Sequence, residues 1–182
     1  MRKKILFIIP PCVALSELMM DEKKMFSSKI RKEMPLGALS LATYMEHYAD
    51  SDATILDLNL KFYDLVNDGK IDKEHTPEKY IYHYIKQLEH EQFTLCGISA
   101  IFSPTYSYLN IISKTVKEIF PDVIVSAGGG VPSNLQVEVF ESCPCIDFIS
   151  YGEGEIGIAG YLNSENGTEY LENCPSIVTR EK

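Results

Sequence analysis

Five short apolar runs punctuate the chain: Lys3 to Ile9, Ala53 to Leu56, Leu95 to Phe102, Val123 to Ala127 and Ile146 to Ser150. None alternates polar with apolar residues, as a strand with one wet face would. Unbroken runs of this kind belong to strands covered on both faces. Helical patterns fill the intervals. Pro35 suits a first helical position, with Leu36, Leu39, Ala42 and Tyr44 following it. Thr76 and Pro77 open a stretch that places Ile81, Tyr84, Ile85 and Leu88 on one face. Ser103–Pro104 precede Leu109, Ile112, Val116 and Ile119, and Ser133 with Gln136 has capping-box spacing ahead of Val137, Val139 and Phe140. Strands alternating with helices imply βαβ units and right-handed crossovers. The pattern predicts an α/β fold: a flavodoxin-like (Rossmann-like) doubly wound parallel five-stranded sheet of order 2-1-3-4-5.

The 182 residues suffice for about one domain, and 45% hydrophobic with 24% charged residues is a globular balance. Charge is uneven: residues 1–48 hold eight bases and five acids, residues 49–182 nine and 21. An overall charge of −9 argues against gripping a phosphate backbone, so no nucleic-acid partner is expected. The longest early apolar run, Ile5 to Pro11, is far short of the roughly 20 residues that span a bilayer and lacks the features of a signal peptide. No membrane association is expected, and a cytoplasmic location is the default. Cys12, Cys96, Cys143, Cys145 and Cys174 are odd in number and scattered, which predicts no disulfide framework. Cys143–Pro144–Cys145 lacks structural zinc spacing, and His47, His75, His83 and His90 form no pair at i, i+4.

In doubly wound sheets the ligand lies beyond the carboxyl ends of the strands, near the switch point between strands 1 and 3. Strand 1 ends in Pro10–Pro11–Cys12, without the glycines that let backbone approach a pyrophosphate, which argues against a nicotinamide or flavin site. Asp57, at the end of strand 2, is read as a cap on the next helix. Strand 3 ends in Ser99–Ala100–Ile101–Phe102–Ser103, strand 4 in Gly128–Gly129–Gly130–Val131–Pro132, and strand 5 in Ser150–Tyr151–Gly152–Glu153. Three consecutive glycines let something flat or bulky approach the backbone, with the Ser99 and Ser103 hydroxyls beside them. Two segments exceed a minimal α/β domain. Cys12 to Met34 is a long connection carrying Met19, Met20, Met25, Met34 and a cationic run from Lys23 to Lys32, expected to close over a ligand or dock on another domain. Pro175 to Arg180 reads as a possible short strand.

Taken in order, these residues resemble the N-terminal cobalamin-binding domain of cobalamin-dependent radical S-adenosylmethionine enzymes. The likeness runs from Lys3 to about Glu155, with a weaker continuation to Arg180. It rests on Ile9–Pro10–Pro11, Pro35–Leu36–Gly37, Asp57, Gly97–Ile98–Ser99, Gly128–Gly129 and Asp147 to Glu155. In the wider cobalamin-binding fold a Ser-x-Leu element and a Gly-Gly element line the slot for the nucleotide tail. Ser99–Ala100–Ile101 and Gly128–Gly129 stand in those places, with Ile for Leu. The resemblance implies cobalamin as cofactor, held by Pro10, Pro11, Cys12, Leu36, Gly37, Ser99, Ile101, Phe102, Ser103, Gly128, Gly129, Gly130, Pro132, Tyr151, Gly152 and Glu153. The D-x-H-x-x-G motif is absent, since Pro11 to Leu15 contains no histidine, so no protein histidine is expected on cobalt. No three cysteines have C-x₃-C-x₂-C spacing. The resemblance therefore assigns the [4Fe–4S] cluster and S-adenosylmethionine to a following radical SAM barrel. It divides the chain into a domain at 1–160 with a 12–34 loop, and a segment at 161–182 that is linker and the start of that missing barrel. The expected partners are the barrel and a small-molecule substrate. The whole enzyme would perform methyl transfer or radical rearrangement or cyclisation, with no catalytic residue on this chain. The alternative is a flavodoxin-like interaction or regulatory module with a vestigial cofactor slot.

Overall fold

Each of the five apolar runs supplies a strand in the computed structural model, which describes residues 2–13, 33–68, 70 and 76–181. These are β1 (Lys3–Ile9), β2 (Ser51–Asp57), β3 (Phe93–Ser99), β4 (Ile124–Gly128) and β5 (Phe148–Ser150). All neighbouring pairs among them are parallel, with β1 between β2 and β3. A sixth strand, β6 (Ile177–Val178), pairs antiparallel with β5, so the sheet has six strands in the order 2-1-3-4-5-6 rather than five. It lies in the stretch Pro175 to Arg180 read as a possible short strand, and its antiparallel edge lies outside the βαβ rule that orders the other five.

The connections are α1 (Leu36–Tyr48), α2 (Leu58–Asn67), α3 (Pro77–Lys86), α4 (Tyr106–Ile119), α5 (Gly130–Asn134), α6 (Gln136–Ser142), α7 (Gly154–Asn163) and α8 (Gly167–Asn173). Pro35 is the N-cap of α1 rather than its first residue. The capping box expected at Ser133 and Gln136 does not form. The chain turns into α5 directly from Gly129, which puts Ser133 inside that helix and leaves Leu135 as the N-cap of α6. β3 ends at Ser99, three residues before its apolar run does, and Ile101 and Phe102 stand more than half exposed beyond it.

Alternate strand residues separate two cores. On one face Leu6, Ile8, Cys96, Ile98, Val125, Ala127 and Ile149 pack with Phe62, Ile81, Ile85, Tyr108, Ile112, Val116 and Val139 from α2, α3, α4 and α6. On the other, Ile5, Phe7, Leu95 and Phe148 meet Ala38, Ala42 and Met45 of α1 and Ile158, Ala159 and Leu162 of α7. Cys174 and Ile177, from the stretch read as linker, are buried in this second core, with Tyr161, Tyr170 and Leu171 packed against it. Arg180 ties the same stretch down: its guanidinium donates to the carbonyls of Phe140 (2.7 Å), Cys143 (3.0 Å) and Ile146 (3.2 Å), lying over the Phe140 ring. Cys96 and Cys143 are small apolar residues of the first core, and burial pushes both thiols up from their ordinary pKa.

Candidate functional site

Parallel pairing brings residues of four strands into rows on the face covered by α1 and α7. Phe7, Gly97, Ser126 and Phe148 form one row. Two residues nearer the carboxyl ends, Ser99, Gly128 and Ser150 form the next. Four of these seven side chains are hydroxyls or hydrogen atoms on β3 and β4, with a fifth, Ser150, on β5, so the sheet surface is hollowed where α1 and α7 pass over it. The result is a slot of about 160 Å³, walled by Phe7, Leu41 and Ile158 and floored by Gly97, Ser126, Gly128 and Ser150. Ser150 is 4% exposed, and its Oγ has no hydrogen-bond partner. Such a group costs free energy unless something pairs it.

A wider, mainly apolar hollow of about 490 Å³ adjoins the slot, and Gly37, Ala38, Ser99 and Ile101 line both. It lies over the ends of β1, β2 and β3, where strand order reverses and α/β sheets take their ligands. Its rim is unusually apolar for a surface: Met34 is 71% exposed, Leu36 68%, and Ile101 and Phe102 just over half. Asp57 and Asn59 add polar groups to its lining. Asp57 caps α2 by accepting from Leu60 N at 2.8 Å, the role anticipated for it, and Asn59 Oδ1 accepts from Cys12 N at 3.0 Å. Among the described residues lining the two spaces there is no Lys or Arg, while Glu33, Asp57, Glu153 and Glu155 bring carboxylates. A pyrophosphate would find no counter-charge there.

Burial raises the Asp57 carboxyl above the usual carboxylate range, outweighing the backbone N–H groups of Leu60 and Asn59 that lower it. A raised native pKa means the folded protein holds the proton more tightly, so stability falls as pH rises from the ordinary value through the raised one. Asp57→Asn keeps the capping oxygen and removes the titration. We expect wild type to lose stability relative to Asp57→Asn as pH rises from roughly 4 to roughly 6. Urea titrations at both values check this, and equal pH slopes for the two proteins would contradict it.

The glycines after β4 serve different purposes. A Cβ on Gly128 would touch nothing nearer than Ser150 Cβ at 3.7 Å, so its hydrogen opens the slot. Gly129 has φ +99 and ψ −179, a conformation kept almost entirely to glycine, and a Cβ there would stand 2.7 Å from Ala100 O. Its close approach is to the chain's own backbone rather than to a ligand. Gly152, at φ +71, turns the chain from β5 into α7.

Of the residues expected from the sequence, Pro10, Cys12, Leu36 and Phe102 line the hollow, and Gly128, Gly129, Gly152 and Glu153 the slot. Gly37, Ser99 and Ile101 line both. Pro11, Ser103, Gly130, Pro132 and Tyr151 line neither: Pro11 and Pro132 are buried, and the other three are exposed. Residues 14–32 of the long connection, to which a closing or docking role was assigned, lie outside the described residues. Sequence reasoning missed Ser126, Ser150, Phe7, Ala38 and Asn59 as lining residues. Small residues two apart inside apolar runs, Gly97–Ser99 and Ser126–Gly128, were the available signal. Searched against protein-family models the chain matches none, and no match is found among curated proteins.

Proposed function

We propose that the chain is a cobalamin-binding α/β domain of the kind that radical S-adenosylmethionine enzymes join to a barrel bearing their iron–sulfur cluster. The observation that carries the proposal is the pairing of two spaces on one set of strand ends: a broad hollow with an apolar rim, and a narrow slot opening from it between the sheet and two helices. A macrocycle with a long tail needs that combination, and few smaller ligands do. Met34, Leu36, Ile101 and Phe102 would support the corrin edge, while Ser99–Ala100–Ile101 and Gly128 would border the inserted tail. The residues fit this group. Gly128 leaves room that a side chain would fill, and the slot holds a buried hydroxyl awaiting a partner. Cobalamin, when bound, supplies cobalt-centred methyl or radical chemistry. The chain's own part is to seat the cofactor, keep water from its tail and leave its upper face to a small-molecule substrate held by the barrel.

Residues 10–13, which follow β1, contain no histidine. The lower face of cobalt is therefore expected to carry no protein imidazole. The test is to mix the protein with hydroxocobalamin, desalt it and record the visible spectrum. Stoichiometric cobalamin is expected, with a spectrum unchanged in a variant lacking His47, His75, His83 and His90. A spectral shift in that variant would show that a histidine reaches cobalt. No retained cobalamin would leave the interaction or regulatory module as the better description.

A further inference from the structure

The sheet has two edges, and they are built differently. At one, β6 is two residues long and antiparallel to its neighbour. At the other, β2 runs for seven residues beside β1 without a bulge, and among the described strands it pairs with nothing else. A long flat edge is a template for another strand, and proteins commonly blunt it with lysine, proline or a bulge. β2, with the sequence Ser-Asp-Ala-Thr-Ile-Leu-Asp, has none of these. The ladder fixes where its backbone groups point. Lys3 pairs with Ser51, and Lys3 N donates to Asp50 O at 3.3 Å. Parallel geometry then turns the N–H and C=O groups of Asp52, Thr54 and Leu56 toward β1, and those of Ala53 and Ile55 outward. Ser51 shares the outward side, but its carbonyl already accepts from Arg2 Nη2 at 2.7 Å. Ala53 and Ile55 are half-buried, and Thr54 is exposed.

We infer that β2 is a self-association edge, which takes β2 of a second copy of this chain in antiparallel pairing about a two-fold axis at Thr54. In that register Ala53 stands opposite Ile55 of the second copy, and the outward N–H and C=O groups of both exchange hydrogen bonds. Thr54 meets its own counterpart in the closer, non-hydrogen-bonded pair, a favourable combination. Asp52 falls opposite Leu56 and Ser51 opposite Asp57, so no carboxylate opposes another. An axis at Ala53 or Ile55 would leave one end of the strand unpaired. The sequence of β2 is thus complementary to itself reversed, which is what a two-fold partner requires and an unrelated peptide does not. The inference is independent of what fills the hollow. Because the joined strands run in opposite directions, the hollows of the two copies lie at opposite ends of the pair.

Sedimentation velocity over a wide range of protein concentration is expected to show a monomer–dimer equilibrium. Thr54→Lys sets two like charges face to face at the axis and should abolish the dimer. The position is exposed, so a melting curve close to that of wild type is expected beside that loss. A second pair of variants reads the register. Cα atoms of a non-hydrogen-bonded pair lie about 4.5 Å apart, within the reach of a disulfide, so Thr54→Cys should oxidise to a covalent dimer. Asp52→Cys should not, because the two Asp52 positions are staggered by four residues, roughly 14 Å along the strands. Wild type oxidised in parallel accounts for the native cysteines. A chain that stays monomeric at every concentration would overturn the inference, and leave the edge to some other strand. So would a dimer that survives Thr54→Lys, or one in which Thr54→Cys fails to cross-link or Asp52→Cys cross-links as well.

Discussion

Replacing Gly128 by valine is expected to loosen cobalamin by roughly 5- to 150-fold while leaving the thermal midpoint within a few degrees of wild type. Gly128 ends β4 with no positive φ, and its missing Cβ would meet only Ser150 Cβ at 3.7 Å and Ser150 O at 3.9 Å. A β-branched residue suits a strand, so the backbone accepts it. The two added methyl groups then occupy the slot. Overfilling a packed space costs about 1–3 kcal/mol, and each 1.4 kcal/mol or so is a factor of ten in binding. Here that cost falls on the complex alone, since the empty protein has nothing in the slot to displace. Isothermal titration of both proteins with hydroxocobalamin, beside a melting curve for each, checks the claim. Unchanged affinity would remove Gly128 from the cofactor's path, and a collapsed melting temperature would mean that the slot is part of the core.

One residue later the outcome inverts. Gly129→Ala is expected to destabilise the fold by about 2–4 kcal/mol, which lowers the melting temperature by roughly 5–15 °C in a chain of this size. The position sits at φ +99 with extended ψ, where side chains cost about 1–3 kcal/mol in strain. The new methyl carbon would also lie 2.7 Å from Ala100 O, the acceptor of the hydrogen bond from Val131 N at 3.1 Å. That bond joins the end of β3 to the start of α5, so relieving the clash parts the two strand ends that flank the slot. Cobalamin affinity should fall too, as a consequence of the damaged scaffold. A Gly129→Ala protein that melts with wild type would show that the turn relaxes freely, and would return Gly129 to the role of clearing space for a ligand.

The contrast between these neighbours explains how far the sequence could be read. Unbroken apolar runs identify doubly covered strands because burial on both faces leaves no alternation, and five parallel strands follow. β6 (Ile177–Val178) falls in the stretch Pro175 to Arg180 read as a possible short strand, and only its antiparallel place beside β5 went unread. The carboxyl-end rule then locates the site in general terms, and Gly37, Ser99, Ile101 and Gly128 do line it. Register was the missing information. Which residue of one strand stands beside which of the next decides that Gly97, Ser126, Gly128 and Ser150 converge on one face, and pairing between residues 22 and 29 positions apart in sequence is not written in any local pattern. The glycine triplet misled for a related reason. A positive φ and an open space both select glycine, and only the geometry tells Gly129 from Gly128.

The two cores differ in what they can tolerate. Leu6, Ile8, Ile98, Tyr108, Ile112 and Val116 fill the far side of the sheet with branched and aromatic side chains. The near side, toward the strand ends, gives up its bulk to a row of hydroxyls and hydrogens. Packing thus continues on both surfaces of one layer only a backbone thick, and open space adjoins the strand ends of the near one. Under the cobalamin proposal, exchanges at Ser126, Ser150 or Gly128 would reshape the slot for a different tail, while the opposite surface kept the sheet intact. Divergence among such domains should therefore be fast on one side of the sheet and slow on the other.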